Sequence, residues 1–433
     1  MTPVVQPVLP QQEVDVAVFG GGVAGTMAAV SAARAGCSVA IVERYGFFGG
    51  NATAGAVAQF NSWQTANGRA VVAGLASEVV DRLRHVGGAG AHEVFVMSTG
   101  HRMDRVPYSP ELLKLVLDDM IVGCGATPML HTSLIDVVAV GDRVTQLELL
   151  TRGGRRLLRP RVLIDASGDV EALRLAGASF LELEPGEALQ PATTMFRFGP
   201  IDFDVLDAVG RAELEELAFR GHASGALARR ALHHARDPQS QDAWFNIGRL
   251  PIDATDPHAL SMAEIEGRKQ AWRAARFLAA EVPGCAAGRL RAFGTQVGVR
   301  ETRRVHGDHV LTAQELVSCH RFEDAIAAGA YPIDIHPAQG GGLDFRGLGP
   351  DDAYQIPLRS LLPLNLGNAL VVGRGISATH EALAAIRVMT ISMAVGQAAG
   401  LAASLAARAD GAVRRIDVQG FRLMLQGQGA LLG

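Results

Sequence analysis

Residues Val14 to Glu43, VDVAVFGGGVAGTMAAVSAARAGCSVAIVE, constrain the fold more than any other stretch of the chain. An apolar run, Val14 to Phe19, reads as a buried strand. Gly20-x-Gly22-x-x-Gly25 follows, then an alanine-rich helix to about Ala35, then a second apolar run, Cys37 to Val42, ending on Glu43. Gly20 permits a tight strand-to-helix turn, Gly22 lets the main chain approach a pyrophosphate, and Gly25 lets the helix lie close on the strand. Val23 and Ala24 open the helix, whose free N–H groups and positive dipole end suit phosphate oxygens. Glu43 stands where a carboxylate can accept ribose hydroxyls, roughly 20 residues beyond the turn. A glycine-rich turn alone is weak evidence, but here strand, helix, second strand and terminal acid stand in register. The stretch predicts a dinucleotide site on an α/β fold.

The rest of the composition narrows the class. A chain of 433 residues can bury a large core, which predicts two connected domains. A formal charge of −4 gives no reason to expect nucleic acid or an anionic membrane as partner. Cys37, Cys124, Cys285 and Cys319 lie far apart and form no C-x-x-C, against a redox dithiol, a zinc site or a disulfide scaffold. His306, His309 and His320 have no ligand spacing, so no metal is expected. The apolar run Val388 to Ala407 is rich in Ala and Gly and interrupted by Gln397, which suits a core helix better than a membrane span. Residues 1–12 carry no secretory pattern, and a cytoplasmic protein is expected.

Along the chain, Arg44 to Thr53 is turn-rich and holds Gly49, Gly50 and Asn51, a backbone flexible enough to pass close to a cofactor. Ser109-Pro110-Glu111 starts a helix to about Val122. Val162 to Asp165 reads as a strand returning to the nucleotide sheet, followed by a tight loop, Ala166-Ser167-Gly168-Asp169, in which Asp165 and Asp169 suit turn and cap formation. Between about Leu181 and Leu343, strand-like pieces alternate with polar helices near Ala212–Ala235 and Met262–Glu281, the second opening on a capping box, Ser261-x-x-Glu264. The end returns to the first style. A strand, Asn368 to Gly373, leads through the loop Arg374 to His380 into a long small-residue helix to about Arg408, with Gly396 and Gly400 on one face. The expected fold is therefore an α/β, Rossmann-like nucleotide domain from residues 1–180 and 351–433, with a mixed α+β substrate-binding domain, 181–350, inserted between them.

Four segments carry a resemblance. They are the N-terminal turn with ERYGFFGGNATAG, the middle LIDASGDVEAL, the run GVRETRRVHGDHVLT with YPIDIHP, and the closing NALVVGRGISATHEALAAIRVMTISMAVGQAAGLAA. Together they resemble the FAD-dependent oxidoreductases of the glutathione-reductase-like flavoprotein superfamily. The resemblance implies FAD in the first site. The turn around Gly20 to Gly25 would hold the pyrophosphate and Glu43 the adenosine ribose, with Arg44 and the loop Ala166-Ser167-Gly168 also binding the cofactor. Gly49, Gly50 and Asn51 would pass beneath the cofactor. Gly373, Arg374, Arg387, Val388 and Met389 would face the flavin, where a helix N-terminus stabilises negative charge arriving on reduction. The loop after Glu43 offers no His or Cys for attachment, so noncovalent FAD is expected. Gly375 stands where the resemblance suggests a small residue or a cysteine.

The chemistry needs a group to handle the substrate's proton. His336 is the first candidate, since Asp334 lies on the same strand face and can orient its imidazole, with Gly340, Gly341 and Gly342 as a cover beyond; an ordinary loop histidine fits the pattern equally well. His380, at the start of the flavin-facing segment, is the second candidate. Arg300, in Val299-Arg-Glu-Thr-Arg-Arg-Val305, suits a bidentate contact to an anionic substrate, although a short charge run is by default an exposed face. The leading function is an FAD-dependent dehydrogenase or reductase acting on a small organic molecule. An FAD monooxygenase using NAD(P)H and O2 is the alternative; the halogenase version lacks its W-x-W-x-I-P motif and catalytic lysine. A non-catalytic or RNA-associated flavoprotein is the alternative of another class, disfavoured by the acidic charge balance. NAD(P)H or another electron carrier would dock transiently, and the small-residue C-terminal helix suits packing within the subunit or across a homo-oligomer interface.

Overall fold

In the computed structural model, which describes residues 9–97, 99–184, 186–335 and 344–433, the anticipated first strand, Gln11–Phe19, runs through the middle of a seven-stranded sheet. Its parallel neighbours are Val39–Val42 on one side and Gly154–Asp165 on the other, and Thr127–Met129 pairs parallel with Val39–Val42. The long strand Gly154–Asp165 changes partner along its length. Its first half pairs antiparallel with Arg143–Thr151, which in turn pairs with Ser133–Val140; its last residues pair in parallel with Ala369–Val371. Residues near both ends of the chain therefore build one sheet. Phe19 pairs with Val42 and Asp165, and Val42 with Met129, so the strands end together at one carboxyl edge. Ligands of open α/β sheets bind outside that edge.

Small side chains let the two longest-buried helices meet. Val23–Arg34 crosses Met389–Arg408 so closely that a Cβ built on Gly396 would stand 2.1 Å from the Ala24 carbonyl oxygen, and one on Gly400 2.1 Å from that of Ala28. Ser31 Oγ donates to the Gln397 carbonyl at 2.7 Å across the same seam. Met389–Arg408 has the length and apolarity of a membrane span, yet 89% of its apolar window is buried within the protein. It is a core helix, enclosed by Val23–Arg34 and the strand Ala325–Gly329.

The middle of the chain forms a separate antiparallel sheet, ordered His234–Arg236, Ala243–Phe245, Phe196–Gly199 and Arg289–Phe293. Phe196, Phe198 and Phe245 pack from it against Ala271, Ala275 and Leu278 of the helix Pro257–Glu281. Three sequence expectations are corrected in this part of the chain and the segment after it. The helix expected over Ala212–Ala235 stops at Ala223, because Gly225 takes the left-handed conformation (φ 75°) that ends a helix, and residues 234–236 are strand. The next helix starts earlier than Ser261: Asp256 accepts the His258 and Ala259 N–H groups with Pro257 at the first position, while Glu264 instead accepts the Val297 N–H. The chain also returns to the first core sooner than residue 350, since Leu311, Leu316, Phe322, Ile326 and Ile333 pack in the same cluster as Val16 and Met27.

Candidate functional site

The carboxyl edge of the sheet opens into a cleft of about 330 Å³ between the two lobes, within the range of about 300–1,000 Å³ usual for small-ligand sites. The turn is built as its residue types require. Gly20 has φ 104°, and a Cβ there would meet the Ala166 carbonyl at 2.5 Å. Gly25 stands behind the turn, its Cα facing the Gly20 carbonyl so that a Cβ would come within 2.0 Å. Gly22 and Gly49 approach as a parallel bridge, which brings the second glycine loop against the first. Glu43, 7% exposed, accepts the Gly21 N–H at 2.7 Å and the Tyr45 N–H at 2.9 Å. Burial raises the pKa of this carboxyl, and those two donors act against the rise. A carboxylate has room for further donors beyond two, so Glu43 can brace the turn and still take a ligand hydroxyl.

The second glycine loop is held from beneath. Tyr108, fully buried and stacked 4.1 Å from Phe60, donates its hydroxyl to the carbonyls of Ala52 and Val57. Asn51 Nδ2 donates to the Val299 carbonyl at 2.9 Å, and Arg44 Nη2 to Gln296 Oε1 at 3.1 Å, so the stretch Arg44 to Thr53 is tied near both its ends to residues 296–299. Across the cleft, Asp165 accepts the Ser167 N–H and hydroxyl and the Leu173 N–H, which is the turn-forming role its position suggests. Gly168 packs against Arg374, whose Nη2 pairs with Asp169 at 3.2 Å.

The lining contains Gly20, Gly22, Val23, Ala24, Glu43, Arg44, Gly49, Gly50, Asn51, Ala166, Ser167, Gly168, Gly373, Arg374, Arg387 and Met389 from the sequence reading. Gly25 and Val388 do not line it. Val388 is instead the N-cap of Met389–Arg408, because the long helix expected after His380 is two: His380–Ile386, then a break at Arg387-Val388. Sequence reasoning does not single out Ser133, Gln296 and Ser392, which also face the cleft; the first two come from segments with no local signature, and Ser392 lies one turn inside the closing helix.

Whether a dinucleotide suits this cleft is decided by donors the protein leaves unused. Neither helix N-terminus at the cleft, at Gly22 or at Val388, receives a side-chain cap. Among the described residues, Arg374 Nη1 and Arg387 Nε are buried without a hydrogen-bond partner, on side chains that line the cleft. Buried donors of that kind call for an acceptor, and the phosphate and carbonyl oxygens of a flavin nucleotide supply them. The residues present fit FAD. A family model described as FAD dependent oxidoreductase matches residues 15–425. The chain belongs to that family. It is a flavoenzyme, and its cofactor is FAD.

The solved structures similar to this FAD dependent oxidoreductase include a geranylgeranyl bacteriochlorophyll reductase-like protein from Thermoplasma acidophilum (TM-score 0.50, 13% identity, 96% of this chain and 84% of that one). The p-nitrophenol 4-monooxygenase PnpA of Pseudomonas putida (0.44, 12%, 98% and 84%) and the myxobacterial chondrochloren halogenase CndH (0.44, 13%, 96% and 78%) are similar at lower scores. At such identities the first likeness concerns the Rossmann-type fold alone. No curated protein matches the sequence.

The catalytic candidates separate. His336 and Gly340 to Gly342 lie outside the described residues. His380 is buried away from the cleft lining, with Nδ1 3.0 Å from Glu301 Oε1 and 2.8 Å from Oε2. Glu301 also accepts the Gln190 N–H at 3.2 Å and faces Arg304 Nε at 3.5 Å. Burial opposes charging of His380, but Glu301 outweighs it and the imidazole pKa is raised above 6.5. The folded protein therefore holds this proton more tightly than the unfolded chain. The resulting stabilisation is complete below pH 6.5 and fades as pH rises through the raised folded value. The melting-temperature advantage of wild type over His380→Gln is expected to shrink steadily from about pH 6 to pH 9; a gap that stays constant over that range contradicts the ion pair. Arg300 sits beside the cleft, donating Nη1 to Thr193 Oγ1 at 2.8 Å and to the Pro191 carbonyl.

Proposed function

We propose that this enzyme is a dehydrogenase or reductase that moves a hydride between a small organic substrate and noncovalently bound FAD. One observation carries the reading: the uncapped N-terminus of Met389–Arg408 and the unpartnered Arg387 Nε converge on one end of the cleft. Positive potential concentrated there favours the reduced, more negative form of a flavin. In this reading the Gly20–Gly25 turn and the start of Val23–Arg34 hold the pyrophosphate, Glu43 the ribose, and Arg374, Arg387 and Met389 the ring end. FAD supplies the acceptance or donation of the hydride. The protein's own work is to orient the substrate and to keep water from that end, which the Asn51–Val299 tie serves. A cytoplasmic setting is part of the proposal, supported by the burial of the long apolar helix Met389–Arg408.

The test is an anaerobic absorbance titration of the FAD-loaded enzyme with a panel of organic donors, then with NADH and NADPH. Bleaching by an organic donor alone, or NAD(P)H-driven reduction of an organic acceptor without O2, is the expected result. Bleaching only by nicotinamide, followed by O2-dependent hydroxylation of the substrate, would replace the proposal with the monooxygenase reading.

A further inference from the structure

Two partly buried guanidinium groups are anchored on consecutive residues beside the cofactor cleft. Arg387 Nη2 donates to Gln190 Oε1 at 2.9 Å, and Arg300 Nη1 to the carbonyl of Pro191. Arg300 follows Val299, whose carbonyl is held by Asn51 at 2.9 Å, so this anchor and the loop at the cleft move as one piece. One donor stays unused there once FAD takes Arg387 Nε: among the described residues Gln190 Nε2 is buried without a hydrogen-bond partner, on a glutamine 2% exposed. Arg229 adds a third cation that interacts with Arg300, while Tyr331 donates its hydroxyl to Asp334 at 3.2 Å and with it faces the group.

The charges do not balance. Among the described residues, the carboxylate that Arg229, Arg300 and Arg387 share is Asp334. Glu301, the other acid near Arg387, is engaged by His380 at 2.8 Å and by Arg304. A partly buried excess of positive charge favours an anion that joins it, and planar guanidinium forks match a carboxylate.

We propose that Arg300, Arg387 and Arg229, with Gln190, form a subsite that holds a carboxylate of the substrate beside the flavin end of the cleft. This rests on the reading that the substrate meets FAD there, and it narrows the substrate class to small organic acids. The site carries the strain that an incoming anion relieves: burial, reinforced by Arg387 and Arg229, pushes Arg300 down to about 9, and Arg387 is lowered too, by burial. The pyrophosphate of FAD is accounted for at the glycine turn, so the anion that belongs here is a different one.

The experiment titrates FAD-loaded enzyme with sodium succinate, sodium benzoate and inorganic phosphate, following the flavin absorbance without turnover. A carboxylate is expected to perturb the spectrum saturably, phosphate much less. Arg300→Gln should weaken that carboxylate about 50-fold or more, and Arg300→Lys, which keeps the charge but loses the fork, by an intermediate factor, with FAD content unchanged. If Arg300→Gln does not fold, Arg300→Lys against wild type decides. Equal binding of phosphate and carboxylate, unchanged affinity in the variants, or no perturbation by either carboxylate overturns the subsite. Saturable, Arg300-dependent carboxylate binding with no hydride donor in any panel leaves the subsite standing and overturns the dehydrogenase reading. Reduction by a neutral donor with no carboxylate effect does the reverse.

Discussion

Gly396→Ala should unfold the protein or lower its stability by at least about 3 kcal/mol, the upper range for overpacking. The added methyl would stand 2.1 Å from the Ala24 carbonyl oxygen and within 3.0 Å of further Ala24 backbone atoms, so no flexible side chain can give way. Both helices would have to part. Val23–Arg34 cannot retreat, because on its other side a Cβ position at Gly25 already lies 2.0 Å from the Gly20 carbonyl. Displacement would therefore reach the Gly20 turn and the N–H groups at the cleft. The control is Gly427→Ala near the end of Val418–Gly427, where nothing lies within 4 Å of the new methyl. It should be neutral or stabilising by up to ~1 kcal/mol, through the smaller entropy of the unfolded chain. Urea unfolding of both variants measures the contrast. Equal midpoints would show that the helix seam is looser than its geometry states.

That seam was legible in the sequence because small residues four apart on a long apolar helix have few other uses. The Gly20–Gly25 turn and Glu43 were legible for a related reason: strand, turn and helix are adjacent in the chain, so spacing encodes geometry directly. The break at Arg387-Val388 was not. The run Ala384-Ala385-Ile386-Arg387-Val388-Met389 has neither glycine nor proline, and Val388 is extended (ψ 147°) only within the assembled fold. His380 read as a candidate for the flavin face because it precedes that helix in sequence, whereas folding turns its Nδ1 to Glu301. The arginine cluster is the extreme case. Residues 190, 229, 300, 334 and 387 belong to segments with no mutual spacing, and only tertiary packing brings their charges together. A stop signal, Gly225, and a start signal, Asp256-Pro257, were present in the middle of the chain but outweighed by longer polar runs around them.

Gly22→Val is expected to separate folding from cofactor binding, which Gly25→Ala cannot do. Gly22 has φ −63° and ψ 174°, a conformation open to any residue, and the only neighbour of a Cβ there is the Gly50 Cα at 4.0 Å. Valine is a poor N-cap, which should lower stability by about 1 kcal/mol; the chain should still fold. Its side chain, however, would occupy the space in front of the uncapped helix N-terminus, where the main chain must approach the pyrophosphate closely. FAD affinity should fall at least about 100-fold, equivalent to the ~3 kcal/mol of a severe steric conflict. Fluorescence titration of apoprotein with FAD, beside a circular-dichroism melt, reads the two quantities separately. A folded Gly22→Val that binds FAD as tightly as wild type would move the pyrophosphate away from this turn. Gly25→Ala should lose both properties together, because its methyl meets the Gly20 carbonyl and lies 2.8 Å from the Ala166 Cβ. One glycine then serves the ligand and the other the fold, a division that the shared motif does not itself reveal.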